Sequence, residues 1–562
     1  MKAERSALDP RKKKTEIPNR KLVWLSVNCS YSHSSLALPL LHAASVGIGG
    51  WEWSVLETTL EADRAETALE LAARKPDLVC ATLYLFNRDA VMEILERLHA
   101  LMPECRIAVG GPECLGEGAR EILDCCPFVG TVFRGEGEEV FPEFLRTFSS
   151  GERRRQIVPE QETAIFHAWA TAPSPVGDPF FRMDKPFVQL ETSRGCPMNC
   201  CYCTSCGTTL RFRPPDAVRR DLEALRNRGG TEVRLLDRTF NFPEDRGVEL
   251  LRLFRNEFPE IRFHLEIHPR LLGEAMRREL LAANPGQLHI EVGIQSLNAR
   301  VQRAIGRSAS PGEALEALRF LCRCSNFETH ADLLAGLPEQ SADSLFRDVA
   351  DLLDAGPAEI QLEVLKVLPG TPLRSRAKEL GIVFSPQPPY DVMRTESMSG
   401  AEILRFRLLS RLLDLTYNHP ALHPVLRAAR KESPEFLSGL LDFFLRNGLD
   451  LKRLFDLKRR FLLLADFFDG KNFDTTRTEL ALQWILAGYP PGTGPGMAAE
   501  KTSGIPENAR LLSGSPASER ERETRFLLLR RAGDTVYFAL NRKYAFNRPA
   551  AVWLVRNGEC GK

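Results

Sequence analysis

The spacing of apolar residues changes character several times along the chain. From Lys21 to about Ser150, short apolar runs alternate with helical stretches. The runs are Leu22-Val23-Trp24-Leu25, Asp77-Leu78-Val79-Cys80-Ala81 and Arg106-Ile107-Ala108-Val109. Between the last two, Val91, Ile94, Leu95, Leu98 and Leu101 recur at helix spacing. This alternation predicts βα units and a parallel sheet. A loop follows each run: Asn28 to Ser35, Thr82 to Asn87, and Gly110-Gly111-Pro112-Glu113. Open parallel sheets bind ligands outside the carboxyl ends of their strands, where these loops fall.

A proline-containing connector, 151–186, leads to a second αβ array over 187–385. Read with period two, its strands each set polar groups on one face. These are Gln189, Glu191 and Ser193; His264, Glu266 and His268; His289, Glu291, Gly293 and Gln295; His330 and Asp332; and Glu359, Gln361 and Glu363. The opposite faces are apolar, as in Phe263/Leu265/Ile267 and Ile290/Val292/Ile294. An antiparallel sheet with one solvated face would show the same alternation. Helical segments lie between these strands, however, and favour a (β/α) barrel with helices outside and a polar lumen. His264, Glu266 and His268 have the residue types of a two-histidine, one-carboxylate metal site. On one strand they span about 13 Å, too far to converge on one ion.

Beyond the barrel, 386–485 reads as helical, with Leu404, Leu408, Leu412 and Leu415 on one face. The Gly/Pro/Ser-rich stretch 486–520 is expected to be a flexible linker. Over 521–562, the alternation Thr535-Val536-Tyr537-Phe538-Ala539-Leu540 predicts a small β tail. Residues 1–20 read as a flexible, solvated arm. A chain of 562 residues has room for about three to five domains. Its 43% hydrophobic and 27% charged residues are those of a soluble globular protein. Lys and Arg number 75 against 74 acids, so no net field draws in nucleic acid or an anionic membrane. No apolar stretch reaches the ~18 residues of a membrane span, and no apolar segment follows the charged N-terminus as in a signal peptide. A cytoplasmic protein is expected.

Composition changes the picture at one residue type: there are 14 cysteines. Five fall within Cys196-Pro-Met-Asn-Cys200-Cys201-Tyr202-Cys203-Thr-Ser-Cys206, directly after the first barrel strand. In a reducing compartment such a cluster indicates metal rather than disulfides. Two groupings have ligand spacing, Cys196/Cys200/Cys203 and Cys200/Cys203/Cys206; the second is that of a ferredoxin run. Zinc would need a matching second pair, and Cys322-x-Cys324 is poorly spaced for one. A 4Fe-4S cluster is favoured. Four Cys ligands would give electron transfer; three would leave one iron open for chemistry.

At this loop the sequence resembles the radical S-adenosylmethionine (SAM) superfamily, whose Cys-x3-Cys-x-aromatic-Cys is matched by Cys196, Cys200, Tyr202 and Cys203. Further segments resemble motifs of the same family: Leu236-Asp237-Arg238-Thr239-Phe240-Asn241, Glu291-Val-Gly293-Ile-Gln295-Ser296, Asp332 to Glu339, and Leu365 to Pro372. With the N-terminal domain and Arg134-Gly135-Glu136-Gly137-Glu138 at its end, the chain is similar to the cobalamin-binding subfamily with a helical C-terminal extension. The resemblance covers about Leu22 to Phe468.

It implies an α/β protein: a Rossmann-like (flavodoxin-like) cobalamin-type domain at 21–150, a partial (β/α)6 TIM-type radical SAM barrel, then the helical domain. Cys196, Cys200 and Cys203 would hold the cluster; Cys201 and Cys206 would not. Tyr202, Glu266 and Gln295, with the backbone near Gly336 and Leu368, would contact SAM. Cobalamin would lie between the αβ domains, against Tyr31, Ser34, Ser35, Tyr84, Asn87, Gly110, Gly111 and Pro112. No Asp-x-His-x-x-Gly is present to put a histidine on cobalt, and His33 has the wrong context. The implied activity is reductive cleavage of SAM to a 5′-deoxyadenosyl radical, with cobalamin serving C-methylation of an unactivated carbon. The alternatives are cyclisation, rearrangement or oxidation without methyl transfer, methylthio transfer, and an electron-transfer iron–sulfur protein that also uses Cys206. Partners would be an unidentified substrate and a low-potential electron donor such as flavodoxin or ferredoxin.

Overall fold

The computed structural model describes residues 20–149, 155–160, 168–307, 310–453, 455–514, 525–531, 534–540 and 549–556. All of the N-terminal arm but Arg20, parts of the connector and parts of the tail lie outside them. The first sheet has six parallel strands: β1 (Arg20–Asn28), β2 (Trp51–Thr59), β3 (Leu78–Thr82), β4 (Arg106–Gly110), β5 (Thr131–Phe133) and β6 (Gln156–Val158). Their spatial order is β2-β1-β3-β4-β5-β6. Order 2-1-3-4-5 is that of flavodoxin-like folds, and its switch point lies between β1 and β3. Strand β3 is buried throughout and β1 over its last seven residues, as a parallel sheet covered on both faces requires.

The barrel sheet takes β7 (Val188–Leu190), then, after a two-stranded hairpin of β8 (Ser193–Arg194) and β9 (Arg211–Phe212), β10 (Glu232–Leu235), β11 (Arg262–Ile267), β12 (Leu288–Gln295), β13 (Glu328–Ala335) and β14 (Glu359–Val364). These six run parallel in sequential order, as a partial (β/α)6 barrel. Buried and half-buried positions alternate along all eight residues of β12 and over Phe263–Ile267 of β11. Apolar side chains pack under the helices and the polar face lines the lumen. The helix Ala342–Ala355 shows the local logic: Ser341 Oγ accepts from Ser344 N at its start, and Gly356 in left-handed conformation stops it.

A short antiparallel pair, β15 (Val383–Phe384) and β16 (Val392–Arg394), opens the extension. Five helices follow between Gly400 and Leu486, the first closed by a reciprocal Ser399/Glu402 cap. The expected linker is corrected in part. Its residues include β17 (Glu500–Thr502) and β18 (Arg510–Gly514). These join β19 (Arg525–Arg531), β20 (Asp534–Leu540) and β21 (Pro549–Arg556) in a five-stranded antiparallel sheet, in the order β17-β19-β20-β21-β18. The Gly and Pro residues end the last helix, and the polar strands gain ladder partners from distant residues that composition does not reveal. Val536, Phe538 and Val552 of this sheet join the barrel's own hydrophobic core.

Candidate active site at the barrel mouth

The cysteine loop leaves the carboxyl end of β7, and the β8–β9 hairpin closes its base. Asp237, just after β10 and 1% exposed, pins that base by accepting from Thr192 N (2.7 Å), Thr192 Oγ1 (2.5 Å) and Ser193 Oγ (2.8 Å). Gly195 turns the chain at φ +90°, where a Cβ would lie 2.3 Å from Thr209 O. Successive turns, Cys203 N to Cys200 O and Cys206 N to Cys203 O, set the cysteines along the loop. The far side is tied down by Cys201 N to Ile305 O (3.0 Å) and Leu373 N to Cys201 O (2.9 Å). Cys196 Sγ lies 3.2 Å from Thr239 Oγ1, and Cys203 Sγ accepts from Ser205 N. Burial raises the Cys200 thiol pKa, against the opposing charge of Arg307. Among the described residues, no three His, Cys, Asp or Glu side chains converge on a single-ion position. Three loop thiols suit a 4Fe-4S cluster, in which each sulfur takes a different iron.

Beside the loop, a lumen cavity of about 280 Å³ is lined by Tyr202, Glu291, Gln295, Asp332, Lys366 and Leu368, among others. It brings together three of the five residues expected for SAM: Tyr202, Gln295 and Leu368. Gln295 Oε1 is buried with no hydrogen-bond partner. That acceptor is open to a donor from a bound molecule. Glu266 is on the lumen face 3.9 Å from Arg238 Nη1, and burial pushes its pKa up to about 7. Gly336 is placed elsewhere: its N–H donates to Gln340 Oε1, and its α-carbon packs toward Val392 and Ile403. His268 accepts from Arg270 N and lies 3.0 Å from Arg307 Nη2, so it is not part of a metal triad.

Deeper in the lumen, His264 Nε2 is 2.9 Å from Glu291 Oε2, and its ring stacks on His289 at 4.8 Å. His330 Nε2 is 3.0 Å from Asp332 Oδ1. Burial disfavours charge on His330, but Asp332 outweighs it and lifts the pKa to about 9. Burial and the neighbouring His264 depress His289 to about 4. The raised pKa of Glu266 makes a prediction. Between about pH 4.5 and 7 the folded state binds more protons at this carboxyl than the unfolded chain, so stability falls as pH rises through that window. Glu266→Gln removes this term, and its melting temperature relative to wild type should therefore climb from pH 5 to pH 8. A constant difference across that range contradicts the prediction.

A second cleft, of about 540 Å³, separates the cysteine loop from the N-terminal domain. It shares Gly135, Glu136, Glu191, Arg194 and Leu236 with an adjoining, mostly apolar cavity of about 290 Å³. Of the residues the resemblance assigns to cobalamin, Tyr84, Gly110, Gly111 and Pro112 wall that cavity. Trp24 Nε1, also in its wall, is buried without a hydrogen-bond partner. The other expected residues do something different. Tyr31 is 75% exposed, with the Lys185 ammonium 4.2 Å from its ring centre. Ser35 Oγ accepts from Ala37 N, and neither Ser34 nor Ser35 lines the cavity. Asn87 stitches the switch point, donating to Val27 O and Thr82 O and accepting from Tyr84 N. His33 pairs with Ser30 and packs edge-on to Phe187.

The sequence reading assigned no role to the cations at this cleft. Arg194 lies within ion-pair distance of Glu136 (3.1 Å), Glu138 (2.7 Å) and Glu191 (2.7 Å), and its guanidinium covers the buried Trp169 ring. Arg211 pairs with Glu136. The sequence signal was an acidic run at one domain's end opposite an arginine beside the cysteine loop.

Residues 190–352 match the family model described as the radical SAM superfamily. The chain carries a radical SAM domain. Residues 378–486, after it, match the model described as a protein of unknown function (DUF4080). The chain is 26% identical over 327 residues to an uncharacterised methyltransferase, PH0819, of Pyrococcus horikoshii, covering 53% of this chain and 68% of that protein. It is 24% identical over 310 residues to the hopanoid C-3 methylase of Methylococcus capsulatus, covering 50% of this chain and 57% of that one. In fold, it is similar to the radical SAM methyltransferase TsrM of Kitasatospora setae, a structure with cobalamin and a [4Fe-4S] cluster bound. That match has TM-score 0.53 and 19% identity, and covers 68% of this chain and 84% of the other.

Proposed function

We propose that this protein is a cobalamin-dependent radical SAM enzyme that methylates an unactivated carbon. The observation that carries the reading is the placement of the three-cysteine loop between two cavities, one in the lumen and one against the N-terminal domain's ligand loops. The methyltransferase relatives and the cobalamin-bound structural neighbour support it. When bound, the cluster and SAM together supply a 5′-deoxyadenosyl radical, and cobalamin supplies a methyl group.

The chain's own residues bind, orient and exclude water. Cys196, Cys200 and Cys203 would hold the cluster, three thiols for its four irons. Tyr202 and Gln295 would orient SAM from the lumen wall, with Glu266 on the adjoining strand beside Arg238. Tyr84 and the Gly110-Gly111-Pro112 turn border the corrinoid, and the apolar walls of the adjoining cavity keep water from it. The reductant is a low-potential flavodoxin or ferredoxin. Reduced thiols suit the cytoplasm. Among the described residues, no helix is long and apolar enough to cross a membrane.

The test is anaerobic reconstitution with iron, sulfide, cobalamin, SAM and a strong reductant. Formation of 5′-deoxyadenosine with a corrinoid retained through gel filtration is the expected result. No 5′-deoxyadenosine at full cluster occupancy defeats the radical reading. A radical enzyme that retains no corrinoid is assigned instead to cyclisation, rearrangement or oxidation.

A further inference from the structure

Tyr390 of the extension bonds to segments that wall both cavities. Its backbone belongs to the barrel side: Val367 N donates to Tyr390 O, and Val392 N to Leu365 O, both at 2.9 Å. These bonds brace the run from Leu365 to Leu368 that walls the lumen cavity. Its side chain belongs to the N-terminal domain. The ring is fully buried, and the hydroxyl donates to Glu113 Oε2 at 2.7 Å. Arg88 donates to the same hydroxyl and lies 3.5 Å from Glu113. Glu113, 2% exposed, directly follows the Gly110-Gly111-Pro112 turn at the proposed corrinoid cavity.

Three further observations say that this contact is built. Tyr390 sits at φ +57°, a conformation costly for a bulky side chain and kept only where the surroundings impose it. Arg374 lays its guanidinium 4.9 Å from the centre of the Tyr390 ring, donates to Val367 O, and lies 3.5 Å from Glu121 of the N-terminal domain. Gly370 of the barrel side, at φ +72°, approaches Leu115 so closely that a Cβ there would lie 3.0 Å from Leu115 Cβ. Leu115 in turn lines the cleft beside the cysteine loop. A carboxylate as buried as Glu113 is expensive without partners. The hydroxyl from the extension is one of them, so the loop's resting position depends on the extension.

We propose that the extension is a clamp in which Tyr390 is a positioning residue, fixing the Gly110–Leu115 loop against the corrinoid cavity and tying it to the wall of the SAM cavity. The proposal rests on the cobalamin reading above. It does not place Tyr390 in contact with either cofactor.

The test uses the full-length, reconstituted protein and Tyr390→Phe, which removes only the hydroxyl. Hydroxocobalamin is titrated by visible absorbance, amide hydrogen exchange is followed over 110–118, and 5′-deoxyadenosine is measured with dithionite and SAM. The dissociation constant should rise at least about fivefold. Exchange in 110–118 should quicken at least about tenfold, with the helices over 400–486 unchanged. The dithionite-driven yield reports separately on the wall of the SAM cavity, whose backbone bond from Val367 N to residue 390 the substitution keeps. A folded Tyr390→Phe with unchanged affinity and unchanged protection over 110–118 overturns the clamp. If Tyr390→Phe does not accumulate, Glu113→Ala, which removes the acceptor of that hydroxyl, must loosen the same segment, and unchanged protection there overturns the clamp equally. Wild type that binds no corrinoid defeats the cobalamin reading instead, and the exchange measurement alone then decides whether Tyr390 holds the loop.

Discussion

Cys200→Ala will reduce 5′-deoxyadenosine release from SAM and dithionite to the enzyme-free background, whereas Cys206→Ala will leave it little changed. Cys200 is the middle thiol of the triad and is 9% exposed, between the turn to Cys203 and the guanidinium of Arg307. Under the proposed three-thiol ligation, its removal takes one of three protein bonds from the cluster. Cys206 follows one turn later and is half-buried. If all four thiols held the cluster, as in a ferredoxin, the Cys206 variant would lose it and no iron would be open to SAM. Iron content and the visible charge-transfer band of each variant, read before activity, separate loss of the cluster from loss of turnover. Parallel loss of iron in both variants would return the protein to electron transfer.

Much of this arrangement was legible in the chain because it rests on local pattern. Period-two alternation over Phe263–Ile267 and Leu288–Gln295 gave the lumen face directly, since the side chains of a strand point to opposite faces. The cysteine loop stood out by its spacing, which left two ligand groupings open; the family resemblance favoured Cys196, Cys200 and Cys203. What local pattern missed depends on distant partners. Strand β2 has only Leu56 buried, so Trp51–Thr59 carries no continuous apolar run to mark it. Asn87 has the composition of a ligand loop, yet its amide is spent on Val27 and Thr82, and no spacing rule shows that. Gly336 lies in a family-like motif, but packing against Val392 and Ile403 of the extension decides where it points. Tyr390 and Glu113 are 277 residues apart, and only the fold brings them together.

The ion-pair knot at Arg194 should be a sensitive point of the structure. Its side chain is 15% exposed, and those of Glu136, Glu138 and Glu191 are 24%, 5% and 19% exposed. In Arg194→Ala, Arg211 still holds Glu136, but Glu138 and Glu191 lose their ion-pair partner at the junction of the two domains. Leaving buried carboxylates without a cation costs about 3–5 kcal/mol. At about 2–4 °C per kcal/mol for a domain of this size, the melting temperature should fall by roughly 10 °C. The sign of the pH dependence tests the cause. Burial already raises the Glu191 pKa against the charge of Arg194, and without that charge it rises further. The folded variant then binds more protons than its unfolded chain from about pH 4.5 upward, so its stability falls as pH rises. The deficit against wild type should accordingly be larger at pH 8 than at pH 5. A deficit independent of pH would trace the loss to the contact with Trp169 rather than to charge. Arg194→Lys restores one positive charge but not the planar fork that reaches three carboxylates at once, so it should recover less than half of the lost stability.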